Sequence, residues 1–338
     1  PNLDDPMRQR VSAAFDRFLD VRGQSDLEVA RLCRQLGVDI AIDLQGYTLD
    51  ARTTILAERC APVQINWLGY PGTMGVPFID YIVADPRIIT PADLSHYSEQ
   101  VLWLPDCYQV NDGHRAISDR AFTRTECGLP EQGFVFCCFN NNFKILPPTF
   151  DTWMRILHRV PGSVLWLLAD NPTAARNLRT EAAARGIDPD RLVFAPRLPL
   201  PEHLARHRVA DLFLDTLPYN AHTTASDALW AGLPLLTRPG RSFASRVAAS
   251  LLHAVGLPEL ITHSEGDYEE LAVALAHDPR RLAALKHKLA DHRLTQPLFD
   301  CPRFTRHLEA AYLAVMQRHW RGEAPGHLEI ARGDSGSL

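Results

Sequence analysis

The sequence predicts an α/β fold of two doubly wound parallel-sheet lobes facing each other across a cleft. Three observations predict it. The 338 residues suffice for about two domains at roughly 150 residues each. Short apolar runs rich in Val, Ile, Phe and Trp alternate with stretches of helical period, the pattern of repeated βα units. Those runs are continuously apolar, which marks strands covered on both faces.

In chain order, a helix over 26–36 opens with Ser25 and Glu28 in capping-box spacing. Strands follow over 38–44, 64–68, 81–84 and 101–104. Residues 111–133 are polar and turn-rich and read as a linker. The second series places strands over 134–139, 164–168, 192–194, 212–214 and 235–237, with helices over 149–160, 173–185, 202–209 and 223–231 between them. Helical patterns continue over 245–255, 268–277, 280–292 and 303–318. From Gly322 onward Gly, Ser and charge predict a frayed end. The expected units are a first lobe over 1–120, a second over 121–300, a C-terminal helix over 301–321 and a flexible tail over 322–338.

Composition narrows the function. Lys and Arg number 35 against 40 Asp and Glu, a formal charge of −5. No whole-molecule positive field exists to hold nucleic acid or an anionic membrane, so any phosphate must be met locally. Seven cysteines (Cys33, Cys60, Cys107, Cys127, Cys137, Cys138 and Cys301) form an odd set without a CxxC pair, which argues against a disulfide framework or zinc cluster and for a reducing, cytoplasmic setting. No run approaches the roughly 18 apolar residues of a membrane span, and no charged-then-apolar leader opens the chain. The opening Pro1 and its Asp-Asp-Pro segment read as a piece of something longer.

Ligands of doubly wound sheets bind at the carboxyl ends of strands, so residues just after strands carry the search. After the strand ending near Asp215, a Pro/Asn loop leads to His222, Thr223 and Thr224 at the next helix start. Free N–H groups and hydroxyls there suit a phosphate; the alternative, which the Thr pair taken alone favours, is that Thr223 merely caps the helix. Asp227, one turn on, is a carboxylate placed for ribose hydroxyls or a first-turn acid complementing the dipole. Asn140, Asn141, Asn142, Phe143 and Lys144 follow the strand over 134–139. A lysine at that edge meets a diphosphate as a compact charge, unless solvent takes it. The glycine-rich turn over 67–75, with Leu68, Gly69, Tyr70 and Pro71, forms an opposite wall or merely a tight turn.

Asp188-Pro189-Asp190 spells D-x-D, but it precedes the strand over 192–194 and so lies at the amino edge, away from ligand; it reads as a structural turn. Fourteen histidines include no HExxH or HxxxH metal grouping with an acidic third ligand; His203 and His207 stand one turn apart without one. No metal is expected. His203 itself follows the loop over 197–201, just after a strand, where a base could rest.

Taken together, the blocks DLQGYT over 43–48, PVQINWLGYPG over 62–72, Asp80-Tyr81-Ile82, Phe139-Asn140 with Phe143-Lys144, RVPGSVLWLL over 159–168, His222-Thr223-Thr224, LWAGLP over 229–234 and SRVAAS over 245–250 resemble the catalytic region of the O-linked N-acetylglucosamine transferases, their bacterial members especially. The resemblance runs from about Asp39 to Arg318. It implies a GT-B fold of two Rossmann-like lobes, the first incomplete here, and an inverting, metal-independent transfer of N-acetylglucosamine from UDP-N-acetylglucosamine to Ser or Thr hydroxyls of a protein or peptide. By resemblance Lys144, Thr223 and Thr224 meet the diphosphate, and His222 and Asn141 line the donor site. Asp227 binds the ribose, His203 and the Leu198 backbone hold the uracil with Arg206 nearby, and the turn at Leu68 and Gly69 faces sugar and acceptor. UDP-sugar is a substrate, and no cofactor is implied. Family members usually carry tetratricopeptide repeats and the first part of the N-terminal lobe upstream, segments not in this chain, so no general base can be named. This chain has Asn141, Phe143 and Tyr219 where animal members carry Gln, Tyr and Cys, and Leu200 where they place a lysine near the ribose. The alternatives are accordingly a family member using GDP-fucose or UDP-glucose, a nucleotide-sugar-binding scaffold without turnover, and a two-lobed sugar-nucleotide epimerase.

Overall fold

In the computed structural model, which describes residues 5–332, the alternating apolar runs become two five-stranded sheets, parallel throughout. The first contains β1 (Ile40–Asp43), β2 (Val63–Asn66), β3 (Tyr81–Ala84) and β4 (Gln100–Trp103) in chain order. The second contains β5 (Val135–Cys138), β6 (Val164–Leu168), β7 (Leu192–Ala195), β8 (Leu212–Leu214) and β9 (Leu235–Leu236), ordered β7-β6-β5-β8-β9. Its winding reverses between β5 and β8. A crevice at the carboxyl ends of such a pair is where doubly wound sheets hold ligands.

Helices pack around these sheets: α1 (Pro6–Ala13), α2 (Asp26–Gln35), α3 (Thr54–Ala57), α4 (Pro147–Arg159), α5 (Pro172–Ala184), α6 (Leu200–Arg206), α7 (Thr223–Trp230), α8 (Val247–Ala254), α9 (Glu265–His277), α10 (Pro279–Thr295) and α11 (Cys301–Trp320). The capping box at Ser25 and Glu28 starts α2 as the spacing predicts. Helix α1 has no counterpart in the expected elements; Asp5 caps it by accepting from the Met7 N–H, with Pro6 in the first turn. Pro147 and Pro148 likewise open α4, positions where their missing N–H groups are no loss.

The helix expected over 301–321 forms as α11, and the stretch after it needs a correction. Helix α11 follows the second lobe yet returns to the first, where Ala311, Val315 and Met316 bury against Val63, Ile65 and Tyr81. Within the stretch expected to fray, Leu328 and Glu329 form β10, parallel to β4. Composition favours a loose tail, but the exposed edge of β4 offers unpaired backbone groups that satisfy it. Residues 333–338 lie outside the described residues.

The lobes share a core. Ile82, Ile88, Val101 and Tyr108 of the first belong to the cluster that includes Phe136, Phe213 and Val247 of the second. Polar links cross the same junction. The Ser250 hydroxyl donates to buried Asp85 at 2.7 Å, and Arg246 pairs with Asp93.

Candidate active site

The reversal point of the second sheet builds one wall of a cleft. Asn140, just beyond β5, donates from Nδ2 to Thr216 Oγ1 at 2.8 Å, tying the ends of β5 and β8 together. The Thr224 hydroxyl donates to Oδ1 of the Asn140 side chain, which fixes the start of α7 to the same point. A 3₁₀ turn over Asn142–Lys144 then swings Lys144 back, and its Nζ donates to the Asn220 carbonyl at 2.8 Å while lying 3.8 Å from the centre of the Tyr219 ring. An ammonium carries three N–H donors, so two stay open. Among the described residues Lys144 makes no ion pair.

The N-cap of α7 is His222, whose side chain makes no capping bond to the helix. Thr223 is therefore not the cap, and among the described residues the N–H groups of Thr223, Thr224 and Ala225 have no acceptor. These are the donors that a helix start presents to an anion. His222 Nε2 sits 3.0 Å from the Ala244 carbonyl, a contact only an N–H can make, which leaves Nδ1 as an acceptor. Burial, reinforced by the Lys144 charge, holds its pKa down to about 4, so the ring is neutral at physiological pH.

Behind this wall lies Asp215, fully buried. It accepts from the N–H groups of Thr216 at 2.8 Å and Ala221 at 2.6 Å and from the Thr237 hydroxyl at 2.6 Å. These bonds pin both ends of the 216–221 loop that presents Asn220 to Lys144. Burial pushes the Asp215 carboxyl up to about 7, against those hydrogen bonds and the Lys144 charge. Burial in turn lowers the Lys144 pKa, and Asp215 opposes that. The two charges support one another through the wall.

Leu68 and Gly69 line the opposite side, and the cleft between encloses about 510 Å³. Leu68 leaves β2 with φ of 75°, a left-handed conformation that strains a branched side chain. A methyl on Gly69 would collide with the Leu44 carbonyl, so only glycine lets the two loops pack. Tyr70 and Pro71 do not line the cleft; Tyr70 turns away onto Gly46 and the Tyr47 ring.

The remaining expected residues separate. Asn141, Lys144, His222, Thr223 and Thr224 line the cleft. Leu198, His203 and Arg206 do not line it; Leu198 lies in the loop between β7 and α6, and the His203 ring is 5.2 Å from that of Phe139, one residue before Asn140. Arg206 is 1% exposed and is no direct ligand in this arrangement. Its guanidinium stacks 4.6 Å over Phe139 and donates to His203 Nδ1 at 2.6 Å, because a buried cation must spend its N–H groups on neighbouring acceptors. The bond places the proton of neutral His203 on Nε2; burial first, then Arg206 and Arg197, bring its pKa down to about 4. Asp227 is 6% exposed and its carboxylate is held by Arg115, which also donates to the Ser226 hydroxyl at 3.1 Å. Burial raises the Asp227 pKa, and Arg115 opposes that.

Arg115 itself lines the cleft. It lies in the stretch read as a linker, and its local sequence does not mark it. The one available signal is indirect, since an acid one turn inside an apolar helix needs a partner. Asp188, by contrast, sits where its order in the chain predicts, capping the Asp190 N–H in a turn before β7. Among the described residues no three His, Cys, Asp or Glu side chains group as metal ligands, and no helix is long and apolar enough to cross a membrane.

A cleft with this polarity at a sheet reversal invites comparison with known proteins. The family model described as glycosyl transferase family 41 matches residues 1–121 and 117–308. The chain belongs to glycosyl transferase family 41. This family 41 chain is 41% identical over 340 residues to a probable UDP-N-acetylglucosamine–peptide N-acetylglucosaminyltransferase of Arabidopsis thaliana, covering 98% of this chain and 35% of that protein. To the UDP-N-acetylglucosamine–peptide N-acetylglucosaminyltransferase of Caenorhabditis elegans it is 28% identical over 434 residues, covering 95% of this chain and 38% of that one. Among solved structures, a mutant O-GlcNAc transferase of Thermobaculum terrenum superposes with a TM-score of 0.82 at 31% identity, over 94% of this chain and 60% of that chain. Anabaena HepE, solved with UDP and glucose, matches with a TM-score of 0.55 at 12% identity over 94% of this chain and 90% of that one, a likeness of fold alone. The fold is of the GT-B type that the sequence resemblance implies. The family 41 chain spans 35% and 38% of the two curated relatives' lengths.

Proposed function

We propose that the chain is the donor-handling part of an inverting glycosyltransferase that moves N-acetylglucosamine from UDP-N-acetylglucosamine to Ser or Thr hydroxyls of a protein or peptide. Lys144 and the uncapped first turn of α7 carry this reading, because they bring an ammonium and several unpaired amides to one wall of a cleft wide enough for a nucleotide sugar. Transfer leaves negative charge on the departing diphosphate. Lys144 and the amides of Thr223, Thr224 and Ala225 would meet it as it develops, with no metal required. Being fixed beforehand by Asn140, Asn220 and Asp215, they need no reorganisation at that moment.

Neutral His222 would accept from a donor hydroxyl through Nδ1. The His203 ring, with Nε2–H directed by Arg206, and the Leu198 backbone would hold the base. Asp227 would meet ribose hydroxyls while still paired with Arg115. Leu68 and Gly69 would face the sugar and the incoming acceptor, with Asn141 at the rim. The relatives' names supply the donor and acceptor class for this reading.

A donor panel on the full-length protein tests it. Thermal protection should be largest with UDP-N-acetylglucosamine and smaller with UDP-glucose and GDP-fucose, since a bound ligand raises apparent stability with occupancy. Preference for GDP-fucose would replace the donor. Binding without transfer or hydrolysis would leave a scaffold, and UDP-sugar interconversion without acceptor an epimerase. Turnover that survives EDTA supports metal independence, and its loss with recovery on adding a divalent ion would end it.

A further inference from the structure

On the seam between the lobes, away from the cleft, we propose a second binding site that takes a phosphomonoester of a small polar metabolite. The site is a cavity of about 290 Å³ whose wall includes Arg87, Asp106, His253, Gln296, Arg303 and Arg332. Arg87 follows β3 and Asp106 follows β4, whereas His253 lies in the last turn of α8 and Gln296 just after α10. Arg303 is in the first turn of α11, and Arg332 lies beyond β10. Both lobes and the returning C-terminal segment therefore contribute.

Charge favours an anion. Asp106 receives Nε and Nη2 of Arg303 at 2.7 and 3.1 Å, one on each oxygen, and Arg332 Nη2 lies 3.4 Å from its Oδ1. His307 stands 3.6 Å away. Three guanidiniums against one carboxylate leave an excess of two positive charges. The carboxyl ends of α8 and α10 reach the same seam, and each brings a partial charge of roughly −0.5. The balance stays positive. Among the described residues the Arg87 guanidinium, the His253 ring and the Gln296 amide have no hydrogen-bond partner, so donors converge on the cavity unspent. Burial, then the Arg87 charge, lowers the His253 pKa, leaving a neutral ring with one N–H to give.

Guanidinium forks match phosphate oxygens in pairs. The volume lies near the lower limit of small-molecule pockets, about 300 Å³, more than a bare phosphate fills. Polar surface dominates the wall as a whole, with Pro105, Ala254 and Pro297 its apolar part, which suits a small group that carries hydroxyls on a carbon skeleton. This site does not depend on the donor reading.

Calorimetry on full-length Lys144→Ala protein, in which the donor cleft has lost its ammonium, tests the site with glucose 6-phosphate, inorganic phosphate and glucose. The sugar phosphate should bind about ten-fold tighter than inorganic phosphate, with glucose silent. Arg87→Ala should weaken it about ten-fold, the worth of one charge-assisted hydrogen bond, and Arg87→Lys should restore part of the loss. Arg87 holds nothing else in place, so unfolding temperature without ligand should not move. Affinity unchanged by both Arg87→Ala and Arg332→Ala, or no phosphate binding at all, overturns the site. Equal affinity for phosphate and its ester overturns the ester and leaves a bare-anion site.

Discussion

The two walls of the cleft are made differently. On the second lobe, side chains do the positioning: Asn140 joins β5 to β8 and α7, Asp215 anchors the 216–221 loop, and that loop holds Lys144. On the first lobe, the wall is backbone, a turn at Leu68 and Gly69 that exists because the chain there accepts a left-handed residue and a glycine without room for a Cβ. A charged wall can be fixed only by buried polar partners, which a low-dielectric interior makes strong when satisfied and costly when broken. A shape-defining wall needs only the right dihedrals. Substitutions on the two sides should therefore fail in different ways.

Lys144→Met should produce the largest effect, a fall in kcat of about a thousand-fold or more, as when one preorganised donor to a developing anion is lost. The fold should persist, since an apolar chain replaces a half-buried cation. Steady-state kinetics with peptide acceptor beside a circular dichroism melt check both halves; near-normal kcat removes Lys144 from the chemistry.

Arg115→Ala strikes the same wall through stability. It leaves the Asp227 carboxylate buried and unpaired, a change that costs about 3–5 kcal/mol, measurable by urea unfolding. A loss below roughly 1 kcal/mol would mean that the pair is not needed to hold Asp227.

Gly69→Ala sharpens the contrast from the other side. Forcing a methyl against the Leu44 carbonyl should cost about 1–3 kcal/mol and lower turnover while leaving UDP affinity near its parent value, because the second lobe is untouched. An equal loss in UDP binding would show the walls to be coupled.

The smallest expected effect is a pH slope. The Asp215 pKa is raised on folding, from about 3.8 to about 7, so between those values the native state binds more protons than the unfolded state. Stability contributed by this group is present at low pH and falls as pH rises through that window. Asp215→Asn keeps the acceptor for the Thr216 and Ala221 N–H groups and should flatten the slope in denaturant unfolding from pH 4 to 7. It should also move the basic limb of kcat to lower pH, since Lys144 loses the charge that raises its pKa. A parent-like slope would show that another group carries the dependence.

Much of the fold is legible locally. Continuous apolar runs place the nine strands from β1 to β9, and prolines and capping residues place the starts of α2 and α4. The Lys144 edge and the start of α7 are legible too, because strand-loop-helix order fixes which end of a sheet a residue occupies. Helix α1 and strand β10 are not. The first is a short, half-exposed helix, and the second exists because an edge of β4 stands beside it. The family resemblance places Arg206 near the base, whereas the packed structure turns it inward onto Phe139.

The order and period of the residues alone determined the two-lobed parallel architecture, the polarity of the sheets and the presence of a cation and a helix start at one carboxyl edge, since each depends on interactions within a few residues. Tertiary structure decided the rest: that Arg115 in a linker meets Asp227 in a helix 112 residues later, that Asp215 and Lys144 share a wall, and that three arginines converge on the seam. Charge pairing acts through space, and the distances along the chain that it joins leave no periodic trace in the sequence.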